Sequence, residues 1–170
     1  MLRIKVILTN SGYLINMYCL KFCQKLPISL EESWAYFSSP HNLKDLTPNY
    51  LGFKITNDLE ERKMYEGQII SYIIHPLWNL PIEWVTEITH VDNLNYFIDE
   101  QRFGPYKFWH HEHRFKQIKG GVEMSDVVYY KLPFGAFGCL LHALKVKSDL
   151  KKIFEFREEK LKLLFGVYKE

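Results

Sequence analysis

Residues 94–135 read LNYFIDEQRFGPYKFWHHEHRFKQIKGGVEMSDVVYYKLPFG. They contain three strand-like runs separated by two glycine-containing turns. The turns are Gly104-Pro105 and Gly120-Gly121. Polar side chains recur at alternate positions in these runs, and alternate residues of a strand share one face of a sheet. If the alternations line up, five polar residues share a face with four aromatic residues. The polar residues are Asp99, Gln101, His111, His113 and Asp126, and the aromatic residues are Phe97, Trp109, Phe115 and Tyr130.

The first turn leaves two arrangements open. An odd number of turn residues places Asp99 and Gln101 on the histidine face. A strict two-residue turn places Ile98 and Glu100 there instead, because a shift of one residue exchanges the two faces of a strand. The residues alone do not decide between these two registers.

The second turn brings Asp126 to the histidines. A two-residue hairpin at Gly120-Gly121 pairs His113 with Val128 and keeps Asp126 on the same face. Two histidines and a carboxylate are ligands for zinc or iron, and an imidazole can act as a general acid or base. The alternative is a hydrogen-bonded cluster that ties the strands together, since such groups must be paired when they are buried. We favour this cluster, and we predict neither a bound metal ion nor another cofactor.

The residues before this stretch predict one strand, two short helices and three more strands. Ser29 and Glu32 form a capping box at the start of a helix that carries Trp34 and Phe37. Alternating apolar residues then predict strands up to the turn at Asp92-Asn93. The predicted elements are a strand over 18–26, a helix ending before residue 40, a helix over 42–46, and strands over 53–58, 68–75 and 82–91.

The C-terminal segment predicts a long amphipathic helix that ends near Phe165. Its apolar stripe consists of Leu150, Ile153, Phe154, Arg157, Leu161 and Leu164. Arg157 interrupts this stripe; it either carries its charged head outward to water, or pairs with Asp126, Asp99 or an acidic ligand. The predicted fold is therefore α+β, with a curved antiparallel sheet of about seven strands wrapped around this helix, and with a hollow between them.

Length and composition bound the class of protein. The 170 residues indicate one domain, and 47% hydrophobic residues can bury a sizeable core. A net charge of +2 argues against electrostatic capture of nucleic acid or of a membrane, and no apolar run approaches the roughly 20 residues of a membrane span. Cys19 and Cys23 lie about 13 Å apart in one strand, beyond the reach of a disulfide. We expect a cytoplasmic protein.

The first 16 residues do not fit the pattern of the rest. A regular strand alternation begins at the second methionine, Met17. We predict a single domain over residues 17–170, with residues 1–16 as an appendage or a misassigned start.

The order of these elements resembles the helix-grip fold of the superfamily that contains START proteins, birch-pollen allergens and polyketide cyclases, often called SRPBCC. The chain is most similar to a branch of uncharacterised bacterial proteins, some of them labelled cell-division inhibitors or ligand-binding proteins. This resemblance implies a cavity for an apolar ligand, and it places Asp99 and Gln101 on the histidine face. The residues that carry it include Phe37-Ser38-Ser39-Pro40, Thr47-Pro48, Pro81, Trp84, Asp99-Glu100-Gln101, Gly104-Pro105, Trp109-x-His111-x-His113-x-Phe115, Met124-x-Asp126, Pro133-x-Gly135 and Ile153-Phe154-x-x-Arg157.

Three functional classes remain open. The favoured one is a protein that binds a small apolar or amphipathic molecule, as a monomer or weak homodimer. The second is an enzyme of cyclase, dehydratase or isomerase type that uses His111, His113 and Asp126, and the third is a protein-interaction module related to cell-division regulation. The predicted ligand-binding residues are Trp84, Asp99, Gln101, Trp109, His111, His113, Phe115, Asp126, Tyr130, Phe154 and Arg157.

Overall fold

The computed structural model describes residues 3–7, 17–59, 63–76 and 80–169, with the backbone alone in residues 3–7. Strands and helices follow the predicted order. The strands are β1 (Arg3–Ile7), β2 (Met17–Leu26), β3 (Lys54–Ile55), β4 (Ile69–Ile74), β5 (Ile82–Asp92), β6 (Tyr96–Phe103), β7 (Phe108–Ile118) and β8 (Gly121–Lys131). The helices are α1 (Leu30–Phe37), α2 (Gly135–Leu141) and α3 (Lys147–Phe165), with 3-10 turns at Pro40–Leu43 and Asn49–Leu51 and a π-helical turn at His142–Val146.

One antiparallel sheet contains all eight strands, in the order β1-β2-β8-β7-β6-β5-β4-β3. The seven strands from Met17 onward confirm the predicted sheet. Arg3–Ile7 adds an edge strand that pairs with β2, so five residues of the predicted appendage extend the sheet. Residues 1, 2 and 8–16 lie outside the described part of the chain, and the predicted boundary at residue 17 stays a prediction.

The turn between β7 and β8 lies one residue earlier than predicted, which shifts the pairing of the two strands by two residues. Its turn residues are Lys119 and Gly120, and Ile118 pairs with Gly121. Gly120 takes the positive φ of 77° that this turn requires. Gly121 is instead the first residue of β8, and only glycine fits there because a Cβ would lie 2.0 Å from the carbonyl oxygen of Leu26. The shift by an even number preserves the faces, so His113 pairs with Asp126 rather than with Val128.

Local sequence signals account for the helices. The Ser29 side chain accepts a hydrogen bond of 3.0 Å from the backbone N–H of Glu32, which confirms the predicted start of α1. The C-terminal helical segment ends at Phe165, as predicted, and Gly166 follows it. No helix in the described residues is both long and apolar enough to cross a bilayer.

The C-terminal helix α3 packs against the concave face of the sheet. Of the six residues of the predicted stripe, Leu150, Phe154 and Leu161 are buried, and Ile153 and Arg157 are partly buried. Leu164 does not belong to it, since 45% of this residue is exposed. The next residue, Phe165, packs edge-on against Tyr36 at a centroid distance of 5.1 Å. It therefore takes the place predicted for Leu164, one helical turn beyond Leu161.

Candidate functional site

Four ionisable side chains meet on the concave face of the sheet, where β6, β7 and β8 lie side by side. Asp99 on β6 pairs with His111 on β7, and His113 on β7 pairs with Asp126 on β8. Paired residues of neighbouring strands share a face, so the alternation in the sequence brings all four together. The pairing of Asp99 with His111 also decides between the two registers left open, in favour of the one implied by the resemblance. We call these four residues the His–Asp cluster.

Each imidazole of the His–Asp cluster bridges both carboxylates. Asp126 Oδ1 lies 3.0 Å from Nε2 of His111 and 2.9 Å from Nδ1 of His113. Asp99 Oδ2 lies 2.7 Å from Nε2 of His113 and 3.4 Å from Nδ1 of His111. The contact of His113 Nδ1 with Asp126 has the distance of an ion pair but lacks hydrogen-bond geometry. The two rings lie 3.8 Å apart, so the cluster is a compact four-sided unit.

Mutual charge pairing keeps both carboxylates ionised. Burial works to raise the pKa of Asp126, but contacts with His111 and His113 outweigh it and hold the pKa well below its usual range. Burial likewise opposes ionisation of Asp99, and the same two histidines lower its pKa.

The pKa values of the two histidines shift in opposite directions. Burial and the neighbouring charge of His113 lower the pKa of His111. Burial also works to lower the pKa of His113, but its contacts with Asp126 and Asp99 outweigh burial and raise this pKa. Of the two, His113 is therefore the histidine that keeps its second proton to higher pH.

Arg157 on α3 approaches this cluster from the helix side. Its Nε donates a hydrogen bond of 3.3 Å to the carbonyl oxygen of Leu46, and its guanidinium lies 5.4 Å from the centre of the Phe154 ring. Its charge helps to lower the pKa of Asp99. Among the described residues, Arg157 forms no ion pair with Asp99 or Asp126. The guanidinium instead lies on the wall of a cavity.

This cavity, of about 890 Å³, separates the concave face of the sheet from α3. Most of its wall is apolar. The aromatic part of the wall includes Phe37, Tyr72, Trp84, Phe97, Trp109 and Phe154. The His–Asp cluster contributes Asp99, His111 and His113 to the wall, whereas Asp126 lies behind them and is wholly buried. The arrangement is an apolar chamber with one concentrated group of charges.

Comparison with solved structures identifies this architecture. Protein CV1439 from Chromobacterium violaceum shares 12% identity, covers 88% of this chain and 99% of its own length, and superposes with a TM-score of 0.65. Ara h 8.0201 shares 11% identity, covers 86% and 98%, and gives a TM-score of 0.55. Protein Ms6760 from Mycobacterium smegmatis shares 14% identity, covers 86% and 92%, and gives a TM-score of 0.60. The chain has the helix-grip fold. No protein-family model and no curated protein sequence matches it.

Seven of the eleven predicted binding residues lie on the wall of the helix-grip cavity. They are Trp84, Asp99, Trp109, His111, His113, Phe154 and Arg157. The other four lie behind the wall or beside it. The Gln101 amide makes hydrogen bonds of 2.6 and 3.2 Å with the backbone of Tyr106, so it holds the β6–β7 turn.

The remaining three residues are structural in different ways. Phe115 packs against Trp34 and Phe37 at centroid distances of 5.5 Å. The Tyr130 hydroxyl lies 2.8 Å from Nε2 of His142 and is fully buried. Asp126 does not line the cavity; it contacts His111 and His113, which do.

The sequence analysis missed a second polar pair on the helix-grip wall. The hydroxyls of Tyr72 on β4 and Thr86 on β5 lie 3.3 Å apart, and both residues line the cavity. Thr86 shares its strand face with Trp84 and Ile88. That alternation in β5 is the signal that could have identified Thr86.

Proposed function

We propose that this chain binds one small amphipathic molecule in the cavity between the sheet and α3. The observation that carries this proposal is the cavity itself, about 890 Å³ in volume and mostly apolar, with ionisable groups at one place on its wall. Ligand sites commonly enclose about 300–1,000 Å³ and combine apolar walls with a few polar groups that fix orientation. The resemblance to helix-grip ligand-binding proteins implies the same use.

The distribution of polar groups sets the orientation of the ligand. Its apolar body lies among the aromatic side chains, and its carbonyl, hydroxyl or carboxylate lies between Arg157 and the cavity side of the His–Asp cluster. Buried polar atoms of two other wall residues, Tyr36 Oη and Trp84 Nε1, have no hydrogen-bond partner among the described residues. A buried group left unpaired costs about 1–3 kcal/mol, so a ligand oxygen that accepts from either one adds to affinity.

A second candidate function is acid–base catalysis of the cyclase, dehydratase or isomerase type. The observation that favours it is the opposite shift of two adjacent imidazoles, since the pKa of His113 is raised and that of His111 is lowered. Environments that push two pKa values apart supply one acid and one base in the same site. His113 is then the acid, His111 the base, and Asp126 the group that orients both.

Native mass spectrometry of the purified full chain tests the binding proposal first. A co-purifying small molecule supports it, and turnover of that molecule separates the enzyme from the carrier. The second measurement uses the fluorescent probe 1-anilinonaphthalene-8-sulfonate, which combines an aromatic body with an anionic group. One probe per chain is expected, with emission sensitised by the tryptophans on the wall.

A matched pair of variants locates the probe. Ile153→Trp narrows the cavity from α3 and should weaken probe binding at least about tenfold, or about 1.4 kcal/mol. Leu163→Trp adds the same ring to an 84% exposed position of the same helix and should leave binding unchanged. Equal effects of the two substitutions would place the probe elsewhere. A chain that neither co-purifies with a molecule nor takes up the probe refutes the proposal and favours an interaction module of the cell-division type.

A further inference from the structure

The His–Asp cluster has two chemically different sides. On the buried side, Asp126 faces Nε2 of His111 and Nδ1 of His113, at 3.0 and 2.9 Å. On the cavity side, Asp99 faces the two remaining nitrogens, Nδ1 of His111 and Nε2 of His113. Asp99 and both histidines line the cavity, whereas Asp126 does not. The cavity side therefore presents two imidazole nitrogens and one carboxylate oxygen.

These three atoms suit a cation. A neutral imidazole has a single N–H. In His111 this N–H can lie on Nε2, which is hydrogen-bonded to Asp126, so Nδ1 on the cavity side keeps its lone pair. His113 offers the lone pair of Nε2 once its imidazole is neutral, as metal binding requires. Two such lone pairs and a carboxylate oxygen are three acceptors, and one ligand atom from each residue lies within 4.8 Å of the others. Ligand atoms at about 2.0–2.2 Å from one tetrahedral zinc ion lie about 3.3–3.6 Å apart. The 3.4 Å between Asp99 Oδ2 and Nδ1 of His111 fits this geometry, whereas the 2.7 Å between Asp99 Oδ2 and Nε2 of His113 must lengthen by several tenths of an ångström when an ion binds.

In contrast to the expectation drawn from the sequence, we propose that Asp99, His111 and His113 bind a divalent transition-metal ion whose open coordination positions face the cavity. Two histidines and one carboxylate with open positions are the ligand set of non-haem iron sites and of catalytic zinc sites. Mixed nitrogen and oxygen donors select against Ca²⁺ and Mg²⁺, which prefer oxygen ligands alone. The proposal does not depend on amphipathic-ligand binding, because the metal ligands are all supplied by the protein.

Asp126 has the position of a supporting residue in such a site. Histidines that bind metal ions commonly donate their other N–H to a carboxylate, which fixes the ring orientation and the tautomer. Asp126 faces the second nitrogen of both histidines at once and is itself wholly buried. It is a positioning residue, since the two imidazoles separate it from the cavity.

The same strands provide a matched control on their other face. His110 neighbours His111 in sequence, and its Nδ1 lies 2.7 Å from Glu100, its cross-strand partner. This pair is also a histidine with a carboxylate, but it lies outside the cavity wall. His110→Gln therefore removes an imidazole of β7 without changing the proposed ligand set.

The test titrates the chelator-treated full chain with Co²⁺, followed by visible absorption and by calorimetry. One Co²⁺ per chain is expected, displaced by Zn²⁺ and not by millimolar Mg²⁺. Asp126→Asn should weaken Co²⁺ binding about 10- to 100-fold, as loss of a supporting carboxylate does. His113→Gln and Asp99→Asn remove a ligand and should weaken it further, whereas His110→Gln should change it by less than about threefold.

Circular dichroism shows whether each variant is folded. If a variant does not fold, X-ray absorption at the cobalt edge of the wild-type complex tests the ligand set without any substitution. A coordination shell with two imidazole nitrogens supports the proposal. A shell of oxygen alone or with sulfur overturns it, as does binding below one ion per chain. Equal weakening by His110→Gln and His113→Gln also overturns it. The probe titration of the unloaded chain is independent of all these outcomes, so failure here leaves the binding proposal standing.

Discussion

His142 gives the fold a defined sensitivity to acid. It lies in the π-helical turn between α2 and α3, and its ring stacks on Tyr18 with centroids 3.5 Å apart. Its Nε2 and the Tyr130 hydroxyl lie 2.8 Å apart and share a buried hydrogen bond. Burial, with a smaller effect of the charge on Lys147, lowers the pKa of His142 to about 4. Protonation of this side chain therefore opposes the docking of the helix on the sheet.

The sign and the size of the effect follow from linkage. An unfolded histidine has a pKa of about 6.5, so the folded value is lowered. The contribution of His142 to stability is complete above about pH 6.5 and is lost as the pH falls from there towards 4. At pH 5 the unfolded residue is almost fully protonated and the folded one is not. The loss is then on the order of 2 kcal/mol, at 1.36 kcal/mol per unit of pKa.

His142→Phe isolates this contribution, because a phenyl ring keeps the stack on Tyr18 but cannot titrate. Urea unfolding followed by tryptophan fluorescence at pH 8, 7, 6 and 5 gives the free energy of unfolding of both proteins. At pH 8 the variant should be less stable by about 1–3 kcal/mol, since the buried Tyr130 hydroxyl loses its hydrogen-bond partner. Between pH 8 and pH 5 this difference should shrink by about 2 kcal/mol. Two parallel stability profiles would show that His142 titrates normally, and would refute the reasoning.

Two further substitutions test the packing that positions the site. Leu161→Ala removes a fully buried side chain of α3 and should lower the free energy of unfolding by about 3–5 kcal/mol; a urea titration that shows less than about 1 kcal/mol would mean that α3 packs elsewhere. Gly121→Ala places a Cβ 2.0 Å from the Leu26 carbonyl oxygen and should cost about 1–3 kcal/mol through displaced backbone; an unchanged melting temperature would contradict the close approach of β8 to the end of β2.

Alternation predicted the faces of the strands correctly, because it depends only on the two-residue repeat of extended backbone. It placed His111, His113 and Asp126 on one face, whereas Asp99 was assigned to that face only by the resemblance, because the parity of the first turn was open. The hairpin register was wrong by two residues because Gly120-Gly121 suggests a turn made of both glycines. The second glycine serves a close approach to Leu26, which is a contact between distant segments.

Alternation could not predict which residues of a strand face line the cavity and which are covered by a helix. Phe115 and Trp109 share a strand face, yet Phe115 packs under α1 while Trp109 lines the cavity. The difference depends on where α1 crosses the sheet, which no local pattern encodes. Gln101 does not line the cavity, because its amide is hydrogen-bonded to the nearby backbone of Tyr106.

Charge balance links the two proposals and distinguishes the ligands that they favour. Without a metal, and with His113 protonated, the carboxylates of Asp99 and Asp126 are balanced by the imidazolium of His113 and the guanidinium of Arg157, so the net charge of these groups favours neither sign of ligand. A divalent ion displaces the proton of His113, since a ligating imidazole must be neutral. The same groups then carry one excess positive charge, which favours an anionic ligand oxygen. The sulfonate probe should accordingly bind more tightly to the Co²⁺-loaded chain than to the unloaded one, and equal affinities would show that metal and ligand do not share this wall.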